Sequence, residues 1–275
     1  MTLEEAKKKI NSILEDVDCD YETYTNEIIP VIQSLNLKEN KEKEYAKTHR
    51  LGFCKVPKDL DELPSLKIVA GNRYVAPIEC DLRGHCTKTE NQGSLPYCAA
   101  YACTNWAENQ LWKLKDIPED IDPVAMYKYA KKIDGDPDGE GTTLTAVLQY
   151  LLDKGIFDKK QCSIKVIKNN SNSINSVKYA LHKFGSILGA FNCTNEWYSI
   201  NPNKTTISGR GKYYECGGHA VELCGYTKDC VIIHNSWGVE FGRDGFCYMT
   251  WSEFEREWLY GAVLSGCLNG LTLNL

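Results

Sequence analysis

Apolar residues recur at helical spacing through the first part of the chain and give way to β-branched and aromatic runs further on. Leu3, Ala6, Ile10, Ile13, Leu14 and Val17 fall on one face of a helix over residues 3–17. Tyr21, Tyr24, Ile28, Ile32 and Leu35 predict a second amphipathic stretch, with Pro30 starting or kinking a helix. Residues 38–50 carry mixed charge, and Lys55 to Pro64 reads as an extended, turn-rich connector. Cys98 to Trp112 holds no Gly or Pro and predicts a mostly buried helix with Cys98 in its first turn. A capped amphipathic helix is expected over 142–155, N-capped at Thr142 and ended by Gly155, and a shorter one over 174–184. Strands are expected at 186–191, 220–226, 230–235 and 246–251. Helices first and strands later define an α+β fold of two unlike lobes.

Composition narrows the function classes. Of 275 residues 43% are apolar and 25% charged, as in ordinary globular proteins. The net charge of −5 is spread evenly, with 12 basic and 14 acidic side chains up to residue 75 and 20 and 23 beyond it. With no basic face and no long apolar run, neither nucleic acid nor membrane is an expected partner. Thirteen cysteines are many for a chain whose charged N-terminal residues do not resemble a secretory signal. No Cys-x-x-Cys pair occurs, so no metal is expected, and most of the thiols read as small buried apolar groups.

Three motifs carry chemistry: Glu90-Asn-Gln92-Gly-Ser-Leu-Pro-Tyr-Cys98, Gly217-Gly-His219-Ala-Val, and His234-Asn235-Ser-Trp237-Gly238. His219 follows Cys98 by 121 residues and Asn235 follows it by 137, against roughly 130–150 in papain relatives. Taken singly, each motif has a bland reading as a buried thiol, a structural histidine or a turn. Together and in this order, from about Val75 to Trp258, they resemble the papain-like cysteine peptidases.

An unperturbed thiol, with a pKa near 8.5, is mostly protonated at neutral pH. The N-terminus of the Cys98 helix and an imidazolium at His219 would each favour its thiolate. Asn235 would orient His219, as in the Cys-His-Asn triad, and Gln92 with the Cys98 backbone N–H would hold the oxyanion. The resemblance further implies that Trp237 shields the Asn–His pair. It implies a helical lobe, a strand-rich barrel-like lobe and a cleft between them that binds peptide or protein substrates. A cysteine endopeptidase acting through a Cys98 acyl-enzyme is expected, as a monomer without cofactor. No adjacent histidine pair of the kind carried by some exopeptidase relatives is present. The alternative is a catalytically silent peptide-binding or inhibitory protein, for which the departures at Pro96, Tyr97 and Ala99 would be the signature.

Gly141 matches the family's glycine-containing substrate strand, where a backbone without side chain admits the substrate closely. It reads equally as loop before a helix cap. Asp134, Asp136, Asp138 and Glu140 around it suggest either a preference for a basic substrate residue or a solvated loop. Secreted relatives carry a disulfide cysteine three residues before the nucleophile, and Leu95 stands there, which favours the cytoplasm or another reducing compartment. Residues 1–74 read as a helical prosegment or a permanent extension, and 75–275 as the peptidase domain.

Overall fold

The structure is a computed structural model that describes Lys8 and residues 64–66, 75–115, 120–158, 162–209, 211 and 213–267. The chain divides into two compact units, Met1–Thr48 and His49–Leu275. Apart from Lys8, the helices expected before residue 50 lie outside the described residues.

In chain order the elements are β1 (Cys80–Asp81), a 3-10 turn (Arg83–His85), α1 (Cys98–Lys115), α2 (Pro123–Ala130), α3 (Leu144–Asp153), β2 (Cys162–Lys168) and α4 (Ser173–Phe184). Then follow β3 (Ile187–Thr194), a second 3-10 turn (Asn195–Ser199), β4 (Thr206–Ile207), β5 (Tyr213–Tyr226), β6 (Cys230–His234), β7 (Phe246–Thr250), α5 (Trp251–Glu257) and β8 (Trp258–Cys267). Among the described residues the eight strands form one sheet in the order β2-β8-β3-β5-β6-β7-β4, with β1 paired to β5. All pairings are antiparallel except β4 with β7.

Local chemistry accounts for the helix starts. Asp122 accepts from the Val124 and Ala125 amides at 2.8 and 3.1 Å, with Pro123 in the first turn of α2. Thr143 caps α3 by accepting from Ala146 N at 3.2 Å. The expected cap, Thr142, is instead buried and donates its hydroxyl to Asp134 at 2.9 Å. Both threonines have the right chemistry, and the tertiary bond to Asp134 decides between them. α2, β2, α5 and β8 were not among the elements expected from the sequence.

Alternation along β3 sorts side chains onto two cores. Leu188 and Ala190 join Ala220 and Tyr260 against α1, α2 and α3. Phe191 turns the other way and packs on Trp197, Phe254 and Trp258, with ring centroids 5.3–5.9 Å apart. Trp106 Nε1 and Gln110 Nε2 both donate to the Ser186 carbonyl at 2.9 Å, which locks α1 to the start of β3. Upstream, Pro64–Leu66 lies along the outer edge of β2. Val166 N donates to Pro64 O at 2.9 Å and Leu66 N to Val166 O at 2.8 Å. That pairing covers backbone groups an edge strand would otherwise expose.

Candidate active site

Cys98 is the first residue of α1 and is fully buried. The Tyr97 carbonyl opens the helix by accepting from Ala100 N and Tyr101 N at 2.9 and 3.0 Å. The first-turn amides and the positive end of the helix dipole are therefore next to the Cys98 sulfur. The Tyr97 ring stacks on Tyr127 of α2 at 3.7 Å, so the unusual residue before the cysteine is held by an aromatic contact. α1 packs directly on β5, the strand that carries His219.

His219 and Asn235 are both fully buried, and His219 Nε2 lies 2.9 Å from Asn235 Oδ1. The Ser236 backbone N–H donates to that same Oδ1 at 2.8 Å. An N–H can point only at an acceptor, so the Asn235 amide orientation is fixed with its oxygen toward the imidazole. His219 Nε2 is then the protonated nitrogen, and Nδ1 is the one that exchanges a proton in a neutral ring.

Aromatic rings enclose this pair. Trp237, 1% exposed, lies 4.7 Å from the His219 ring, and Trp197 meets it edge-on at 5.4 Å. Tyr198 stacks on Trp237 at 5.3 Å. Trp197 Nε1 in turn donates to Glu257 at 2.7 Å. Burial, and then the neighbouring Glu253 carboxyl, push the Glu257 carboxyl up to about 8.

Gln92 is 2% exposed and tied to the asparagine loop twice. Its backbone N–H donates to Ser236 O at 2.9 Å, and its Oε1 accepts from Ser236 Oγ at 2.7 Å. The side-chain Nε2 donates to Leu95 O at 2.9 Å, across the turn that leads to Cys98. Ser236 thus touches both Gln92 and Asn235, a role that the Asn-Ser-Trp-Gly motif alone did not disclose.

Gly141 stands apart from this network. Its φ is +78°, and its carbonyl accepts from Tyr127 Oη at 3.4 Å and Lys131 Nζ at 3.1 Å, so that oxygen is committed to the protein. Tyr127 links it to the Cys98 loop through the stacked Tyr97. In the acidic loop, Lys131 pairs with Asp134 at 2.9 Å, whereas Asp136, Asp138 and Glu140 face solvent. No disulfide joins the nine cysteines whose side chains are described. Burial pushes the thiols of Cys103, Cys193 and Cys247 up, which keeps them protonated. Among the described residues no helix is long and apolar enough to cross a membrane.

Solved structures share this fold. Xylellain, a cysteine protease from Xylella fastidiosa, superposes with a TM-score of 0.62 at 18% identity, over 80% of this chain and 97% of that one. A structure from work on the mite allergens Blo t 1 and Der p 1 gives 0.65 at 16% identity, over 94% and 98%. Procathepsin B S9 from Trypanosoma congolense gives 0.62 at 14%, over 82% and 89%. No family model matches the chain, and no curated protein matches it by sequence. The chain therefore has the papain-like fold, and the expected α+β architecture with helical and strand-rich parts is what it adopts.

Proposed function

We propose that this protein is a cysteine endopeptidase in which Cys98 attacks the scissile carbonyl and forms an acyl-enzyme. The observation that carries the reading is the buried His219 Nε2–Asn235 Oδ1 contact of 2.9 Å, with the amide orientation set by Ser236 N–H. In this reading Nδ1 of His219, the ring nitrogen not bonded to Asn235, takes the Cys98 proton and later delivers it to the leaving amine. The resulting thiolate gains from the α1 dipole, and the imidazolium from Asn235. The tetrahedral oxyanion receives the Cys98 backbone N–H and a hydrogen of Gln92 Nε2, whose two hydrogens serve Leu95 and the substrate. Water attacks the thioester in the second half-reaction, with His219 again as base, and Cys98 leaves as thiolate. Trp197 and Trp237 keep water away from the Asn–His bond, where a low dielectric strengthens it.

We also read residues 1–74 as a prosegment. Procathepsin B S9 and the ragweed protease Amb a 11, both of similar fold, were solved in their proforms.

The test is labelling of the reduced protein with a peptidyl epoxide or vinyl sulfone, followed by peptide mapping. Stoichiometric modification at Cys98 among thirteen cysteines, abolished in His219→Ala, is expected. Absence of selective labelling at Cys98 would assign the chain to the silent, peptide-binding alternative.

A further inference from the structure

A second cluster of reactive side chains lies on the other face of β5 and β6 from the His219–Asn235 pair. Glu222 is three residues beyond His219, and His234 immediately precedes Asn235, so alternation sends both away from that pair. They are cross-strand partners in the β5–β6 ladder, which brings their side chains together. His234 Nδ1 lies 3.0 Å from Glu222 Oε2, and both residues are essentially inaccessible. Cys86, just after the first 3-10 turn, completes the group: its sulfur, a Glu222 oxygen and a His234 ring nitrogen lie within 4.8 Å of one another.

Hydrogen bonding around the cluster sets the imidazole. Thr89 Oγ1 donates to Asp244 O at 2.7 Å, so toward His234 Nε2, at 3.0 Å, it can only accept. Nε2 therefore carries a hydrogen and Nδ1 faces Glu222. Asn109 Nδ2 donates to the Cys86 sulfur at 3.3 Å, as an outer group does for a metal-bound thiolate. Among the described residues Glu222 Oε1 has no hydrogen-bond partner, although its residue is wholly inside the protein. A buried carboxylate oxygen in that state is costly unless something positive reaches it.

We propose that Cys86, Glu222 and His234 bind a divalent cation of the zinc class. Sulfur, imidazole nitrogen and carboxylate oxygen are the donors zinc takes, and around a tetrahedral ion they stand about 3.3–3.7 Å apart. Small side-chain rotations bring atoms already within 4.8 Å to that spacing. Thiolate and carboxylate together balance the two positive charges, so the filled site is neutral in the protein interior. On binding, the Cys86 thiol proton and any proton on Nδ1 leave to solvent. The fourth position falls to water.

A cavity of about 470 Å³ lies beside the cluster, sharing Thr89, whose hydroxyl contacts His234 Nε2. It is lined by Thr87, Thr89, Glu90, Glu108 and Asp120, with Lys88 also on its wall. No Cys-x-x-Cys spacing announces the site because its ligands come from three separate segments.

The test uses full-length, reduced Cys98→Ser protein, so that the candidate nucleophile cannot supply the thiolate, and Co²⁺ as probe. One equivalent retained through gel filtration, with a thiolate-to-cobalt charge-transfer band, is expected. Cys86→Ser should lose the band, and Glu222→Gln should weaken binding at least about tenfold. Gln keeps an acceptor for His234 but not the charge, so this arm stands even if Cys86→Ser does not fold by circular dichroism. Absence of cobalt binding, persistence of the band in folded Cys86→Ser, or unchanged affinity in Glu222→Gln would overturn the site. None of these readouts depends on peptidase activity.

Discussion

Ser236 Oγ donates to Gln92 Oε1 at 2.7 Å, joining the loop before the candidate nucleophile to the loop that carries Asn235. The bond occupies the oxygen of the Gln92 amide, so the NH2 end is directed elsewhere. Ser236→Ala should therefore lower turnover through disorder of that amide, by less than loss of the amide itself. A fall of about 3–30-fold in kcat with little change in KM is expected, and a buried acceptor left unmatched costs about 1–3 kcal/mol of stability. Unchanged kcat with lowered stability would make the bond structural only.

Gln92→Ala should reduce kcat by about 10²–10³, the loss that follows removal of one oxyanion donor. Steady-state kinetics on a fluorogenic peptide separates this from weakened ground-state binding, which would appear in KM alone.

Cys98→Ala and His219→Ala should each abolish hydrolysis, and the double variant should be no worse, because the pair acts as a unit. Asn235→Ala should be milder, since Asn235 orients the ring without exchanging its proton. Equal losses in Asn235→Ala and His219→Ala would contradict that division of roles.

Stability should fall as pH rises from about 5 toward 9. Burial beside Glu253 raises the Glu257 carboxyl to about 8, so the folded state holds a proton that the unfolded chain releases near 4.5. The stabilisation is complete below the unfolded value and lost as pH passes through the folded one. Glu257→Gln, which keeps an acceptor for Trp197, should flatten this slope in thermal melts. An equally steep profile in that variant would remove Glu257 as its source.

A chain beginning at Val75 should hydrolyse peptides faster than the full chain, or fold poorly unless residues 1–74 are supplied in trans. Its loss of Pro64–Leu66 also uncovers the β2 edge at Val166, so aggregation should increase. Full activity of the intact chain, with its N-terminal residues still attached by mass, would leave a permanent extension instead of a prosegment.

Much of the candidate site was legible in the chain because it is written in short contiguous motifs. Gln92 precedes Cys98 within one loop, and Asn235, Ser236 and Trp237 are consecutive. The α1 helix could be read from its lack of Gly and Pro, and β3, β5, β6 and β7 from their β-branched and aromatic runs. Local propensity and spacing are properties of neighbouring residues, and sequence displays them directly. The choice of Thr143 over Thr142 as a helix cap was not legible, because a side chain eight residues back claims Thr142. Nor were β2 and β8, which are defined by pairing with each other from distant parts of the chain, Lys168 with Tyr260 and Cys162 with Cys267. The aromatic enclosure of His219 and the meeting of Cys86 with Glu222 and His234 likewise depend on strand register, which only the folded sheet decides.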